Sequence, residues 1–99
     1  MLMAAYVVTI DTQVWNLEGL AGLADRLVEA VGAYGGRYII RTGAIEAKGG
    51  SFTPSRMAVA EFESIDQVRD LFNDADFLEL RRQRGNFAHA NVFVVEGAQ

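Results

Sequence analysis

At 99 residues, 51% of them apolar and 22% charged, the chain has the size and composition of one globular domain, which excludes a disordered segment. It contains no cysteine, and so disulfides, thiolate metal sites and thiol nucleophiles are excluded together. A formal net charge of −4 weighs against nucleic acid or an anionic membrane surface as partner, and no apolar run reaches the ~18 residues of a membrane span.

Residues 1–10 are apolar but lack the basic leader of a signal peptide, and Asp11 ends the run, so a soluble, cytoplasmic protein is expected. Residues 5–10, Ala-Tyr-Val-Val-Thr-Ile, read as the first strand. Both of its faces, Ala5, Val7, Thr9 and Tyr6, Val8, Ile10, are largely apolar. Asp11, Thr12 and Gln13 read as a polar turn, and Asn16 as the N-cap of a helix. Leu17, Leu20, Leu23, Leu27, Val28 and Val31 follow at helical spacing, predicting one long amphipathic helix that Gly19 and Gly22 weaken.

Gly35 and Gly36 stop that helix, and a strand pattern begins at once over residues 37–46, with Gly43 as a bend. Strict alternation puts Arg37 and Arg41 on one face and Tyr38, Ile40 and Thr42 on the other. Residues 48–55 are a loop by composition, and residues 56–62 a third strand. Ser64-Ile-Asp-Gln67 has the spacing of a capping box and opens a second helix carrying Val68, Leu71 and Phe72. Residues 73–76 interrupt it. Phe77, Leu80 and the run Arg81, Arg82, Arg84 form a further helical turn ending at Gly85, where positive charge offsets the helix macrodipole. Residues 92–95 are the fourth strand, closed by Glu96-Gly97.

The order βαββαβ with right-handed crossovers predicts an α+β, ferredoxin-like domain over residues 1–99, with a four-stranded antiparallel sheet in the order 4-1-3-2. Two helices cover one face of such a sheet. The other face would be an exposed apolar patch, which predicts a homodimer packed sheet to sheet. A hairpin register with a pair sum of 102 would set Arg41 opposite Glu61 and Glu46 opposite Arg56, two opposite-charge pairs of about 0.2–1 kcal/mol each.

Several side chains are candidates for chemistry. Arg37 and Arg41, with Tyr38, could hold an anionic ligand, since the guanidinium fork suits carboxylate and phosphate; the competing reading pairs Arg41 with Glu61 and leaves Arg37 at the sheet edge. His89, the single histidine, could be a general base or an axial haem ligand, or a solvated residue on the approach to the last strand. Asp11 could be a base at the end of the sheet or a turn cap, and Glu61 is a further candidate base. Tyr6, Tyr34 and Tyr38 could line a pocket or belong to the core. The glycines lack phosphate-loop spacing, and no ligand set for a metal or cofactor is evident.

Ala33-Tyr-Gly-Gly-Arg-Tyr-Ile-Ile-Arg-Thr-Gly43, Pro54-Ser-Arg56, Glu61-Phe62-Glu-Ser64, Phe77 and Val94-Val-Glu-Gly97, in this order, resemble the domain-of-unknown-function 1330 family of the dimeric α/β-barrel superfamily. The resemblance implies a ferredoxin-like subunit and a dimer whose sheets face each other. It brings no catalytic residue with it. The chain departs from the family in a leucine-rich first helix and in Asp74-Ala-Asp-Phe77, where the family has Ser-Pro-Glu-Tyr and a tyrosine hydroxyl. The expected function is binding of a small, anionic organic molecule between the sheet and a partner subunit. The alternative is a cofactor-free enzyme, monooxygenase- or isomerase-like, acting on a small aromatic or lactone by analogy of fold.

Overall fold

The computed structural model describes residues 3–98, so the first two residues of the apolar N-terminal run lie outside it. The elements are β1 (Ala5–Val14), α1 (Leu17–Ala21), α2 (Ala24–Ala33), β2 (Arg37–Thr42), β3 (Arg56–Phe62), α3 (Ile65–Phe72), α4 (Ala75–Arg84) and β4 (Ala88–Glu96). They form an antiparallel sheet in the order β2-β3-β1-β4, which is the expected 4-1-3-2 order read from the other edge. The fold is the expected ferredoxin-like α+β arrangement. No helix among the described residues is long and apolar enough to cross a membrane.

The ends of β1 differ from expectation. Asp11, Thr12 and Gln13 are not a turn: the strand continues to Val14, because β4 begins at Ala88 and gives these residues a ladder partner. An extra residue between Asp11 and Gln13 makes a β-bulge there. His89 accordingly lies within β4, paired with Gln13, and not in a loop.

The first helix is split in two. Asn16 caps α1 as expected, its side chain accepting from Gly19 N at 2.8 Å. The split falls at Gly22 and Leu23, where the low helix propensity of glycine lets the chain turn. α2 then ends in a Schellman motif: Gly35 N donates to Gly32 O and Gly36 N to Val31 O, both at 3.0 Å, with Gly35 at φ +84°. The glycine pair thus satisfies two helix carbonyls and redirects the chain into β2.

β2 stops at Thr42, and its register corrects the expected one. Arg37 faces Glu61, Tyr38 faces Ala60, Ile40 faces Val59 and Arg41 faces Ala58, so Arg41 is not opposite Glu61 and Glu46 is outside the ladder. Charge pairs worth under about 1 kcal/mol each do not set a register against a buried face. Here Tyr38 and Ala60 align on the helix-covered side, where Ala60 and Phe62 belong to the core. A bulge at Ile39 also breaks the alternation. It moves Arg41 to the helix-covered face with Tyr38 and leaves Arg37 on the other, so the two arginines do not share a face.

The core lies between the sheet and the helices and contains Ala5, Val7, Val31, Ala60, Phe62, Val68, Leu71 and Phe77. Ser64 is the N-cap of α3, and Gln67 Oε1 accepts from the backbone N–H groups of Glu63 and Ser64 at 3.0 and 3.4 Å, supplying the glutamine half of the expected capping box. Asp74 caps α4 by accepting from Phe77 N at 3.0 Å, and the Tyr34 hydroxyl donates to Asp74 at 2.6 Å. On the outer side of α4, hydrogen bonds from Arg82 and Gln83 pull the Glu79 carboxyl from an ordinary 4.5 to about 2. A folded value below the unfolded one stabilises the protein above about pH 4.5, and that stabilisation is lost as pH falls towards 2. Denaturant titrations across this range should show a shallower pH dependence for Glu79→Gln than for the wild type.

The opposite sheet face, with Tyr6, Val8, Ile10, Ile40, Phe93 and Val95, has no helix over it among the described residues. Phe93 is 52% exposed, and Ile40 and Val95 are also open to solvent.

Candidate functional site

The candidate site follows from small side chains on the helix-facing side of the sheet. Thr9, Ala58, Ala60, Ala88 and Ala90 occupy that surface, and Ala21 and Ala24 lie above it on α1 and α2. Side chains this short leave the layers incompletely filled. The space between them is a cavity of about 530 Å³, within the range of small-molecule sites. It lies inside the subunit, on the side away from the open sheet face where a partner was expected to enclose it.

The cavity is graded in polarity. Cross-strand register places Tyr38, Ala60 and Val7 in one row, Arg41, Ala58, Thr9 and Val92 in the next, and Arg56, Asp11 and Ala90 in the third. Leu27, Val31, Leu71, Phe72 and Phe77 add apolar wall from the helices, and Arg81 and Arg84 add charge from α4. The lining therefore carries four guanidinium groups and one carboxylate, Asp11, in a protein whose formal net charge is −4.

Asp11 is 1% exposed, and Arg84 holds it in both oxygens, Nη1 to Oδ1 at 2.6 Å and Nη2 to Oδ2 at 2.7 Å. The bidentate geometry is the strong form of this pair. Among the described residues, Arg41, Arg56 and Arg81 have no carboxylate partner. Arg41 lies 5.4 Å from the Tyr38 ring centroid and Arg81 5.0 Å from that of Phe72. These cation–π contacts place the two cations without consuming their N–H donors. Burial pushes the Tyr38 phenol above its ordinary value, against the opposing pull of Arg84 and Arg41, so the hydroxyl keeps its proton at neutral pH.

The other sequence candidates lie elsewhere. Arg37 Nη2 donates to Glu61 Oε1 at 3.0 Å, and the Tyr6 hydroxyl donates to Glu61 Oε2 at 3.1 Å, all on the open sheet face. The ion pair expected for Arg41 is thus made by Arg37. His89 is exposed on the same face, with Nδ1 2.8 Å from Thr12 Oγ1. No cluster of histidine and carboxylates suited to a metal occurs among the described residues. The sequence reading missed Arg56, Arg81 and Arg84 as lining residues. Their signals were present: Phe77, Arg81 and Arg84 recur at four and three residues on one helix face, and Asp11 keeps step with Ala5, Val7 and Thr9.

The family described as Domain of unknown function (DUF1330) matches residues 4–98. The chain belongs to the DUF1330 family. No curated protein matches it. Among solved structures, this DUF1330 chain is similar to a protein of unknown function from Rhodopseudomonas palustris, with a TM-score of 0.73 and 11% identity over 100% of this chain and 85% of that one. It is also similar to SnoaB, a cofactor-independent oxygenase from Streptomyces nogalater, with a TM-score of 0.69 and 12% identity over 100% and 96% of the two chains. A nipsnap family protein with unknown function from Agrobacterium tumefaciens gives a TM-score of 0.55 and 14% identity over 99% and 90%. Identities this low establish a shared fold and nothing about chemistry.

Proposed function

We propose that this DUF1330 protein binds a small organic molecule in the cavity between its sheet and helices, and that it works as a homodimer joined through the open sheet face. The observation that carries the binding reading is the cavity itself, about 530 Å³ with apolar walls and three guanidinium groups unpaired among the described residues. That lining favours an anion. The likeness in fold to a cofactor-independent oxygenase brings the enzyme alternative into view, but a reaction in this cavity would need a base. Asp11, the carboxylate lining it, has both oxygens committed to Arg84, while Glu61 and His89 face the other way. Binding without turnover is the better supported function.

A thermal-shift screen of small aromatic and aliphatic acids, alcohols and amides tests the binding reading. A ligand present at a hundredfold excess over its Kd adds about 2.7 kcal/mol of stability. Ala58→Leu, which extends a side chain into the cavity, is expected to abolish the shift while the protein stays folded. A shift that persists in Ala58→Leu would place the ligand elsewhere and refute the assignment.

The dimer rests on the exposed apolar face, since contiguous patches of this kind mark interaction surfaces. Light scattering of the wild type at micromolar concentration should give twice the chain mass. Phe93→Glu replaces the most exposed apolar side chain of that face with a charge and is expected to weaken the dimer at least a hundredfold. A wild type that remains a well-folded monomer would dispose of the dimer.

A further inference from the structure

We propose that the ligand is an amphiphilic monocarboxylate, an aromatic or branched apolar body ending in one carboxylate, and that it binds in a fixed orientation. The proposal rests on the binding reading and specifies the chemistry of that same cavity. The orientation follows from the gradient along the sheet. Val31, Leu71 and Phe77 share one core cluster with Val7 and Ala60 of the first row and give that end its apolar wall. Arg41, Arg56 and Asp11 lie in the two further rows, and Arg81 is held over the Phe72 ring.

The carboxylate belongs beside Arg41 and Tyr38. Arg41 is exposed at the edge strand, has no carboxylate partner among the described residues, and is held over the Tyr38 ring with its N–H donors free. Tyr38 keeps its phenolic proton and has no hydrogen-bond partner among the described residues, which leaves it a donor for a carboxylate oxygen. Arg84 is near enough to act on the Tyr38 phenol but is neutralised by Asp11, so it adds polarity without a second free charge there. Asp11 accepts from two of Arg84's nitrogens, which fixes that guanidinium against the wall. A carboxylate with an apolar body satisfies both ends of this cavity. A neutral amide of the same shape satisfies one.

The test compares 1-naphthoate with 1-naphthamide, which share a ring system and differ in charge. Binding is followed by chemical shift changes at the backbone amides of Thr9, Ala58 and Ala90 on the cavity floor. Naphthoate is expected to bind at least tenfold tighter than naphthamide and to weaken as salt is added. Arg41→Gln should lower naphthoate affinity at least tenfold and leave naphthamide unchanged, and Tyr38→Phe should act in the same sense. Arg37→Gln, on the opposite sheet face, should alter neither. Equal affinities for the two probes, or an Arg41→Gln variant that binds naphthoate like the wild type, would overturn the carboxylate assignment and leave small-molecule binding standing. Failure of both probes to shift the cavity residues would overturn the carboxylate assignment, and the binding reading falls with it only if the wider screen of acids, alcohols and amides also gives no thermal shift.

Discussion

Asp11→Ala is expected to destabilise the protein by about 3 kcal/mol, the lower end of the range for breaking a buried ion pair. The loss does not come from the missing attraction alone. Asp11 is 1% exposed, and its removal leaves the Arg84 guanidinium, 19% exposed, facing the cavity wall without its counter-charge. The residual exposure of Arg84 lets water relieve part of that penalty, which sets the estimate at the low end. Equilibrium urea denaturation checks it through the midpoint at constant m. The double variant Asp11→Leu with Arg84→Met should lose less than either single change, because it removes both desolvated charges together and keeps much of the volume. A single-variant loss below about 1 kcal/mol would mean that the pair behaves as a solvated surface bridge.

This ion pair also marks where the sequence could be read and where it could not. Element order, sheet topology and the glycine stop followed from periodicity and helix-end chemistry, which act over a few residues. Asp11 was read as the end of a strand because a carboxylate after an apolar run looks like a turn. Its partner lies 73 positions away on α4, and no local pattern announces a pair of that separation. The hairpin register failed for a related reason. Residues 43–55 form a long connection that does not fix pairing, and a bulge at Ile39 reverses which residues share a face. One inserted residue therefore carried Arg41 into the cavity wall and left Arg37 outside it. The lining arginines of α4 were hidden differently: positive charge at a helix C-terminus already has a sufficient explanation in the macrodipole. Arg82 fits that explanation by pointing outward to Glu79, whereas Arg81 and Arg84, on the face of Phe77, do not.

The second large effect concerns Gly36, between α2 and β2, whose alanine substitution should differ in sign from that of Gly32 inside α2. Gly36→Ala is expected to destabilise the fold by about 1–3 kcal/mol through overpacking. A Cβ there would lie 2.4 Å from two atoms of the Phe62 ring and 2.7 Å from Val31 Cγ1. Phe62 is 1% exposed and Val31 2%, so neither can move aside without disturbing the core around Ala60, Val68 and Leu71. Gly32→Ala, one helical turn earlier, meets nothing within 4 Å and replaces a glycine inside α2. It should stabilise the protein by up to about 1 kcal/mol, the difference in helix propensity. Thermal denaturation of both variants separates the two causes. If Gly36 were retained only for chain flexibility, both alanines would stabilise. A loss confined to Gly36→Ala assigns that glycine to the close approach of the β2 backbone to Phe62. That approach seats the strand carrying Tyr38 and Arg41 at the cavity edge, so a position without a side chain governs where the ligand-facing ones stand.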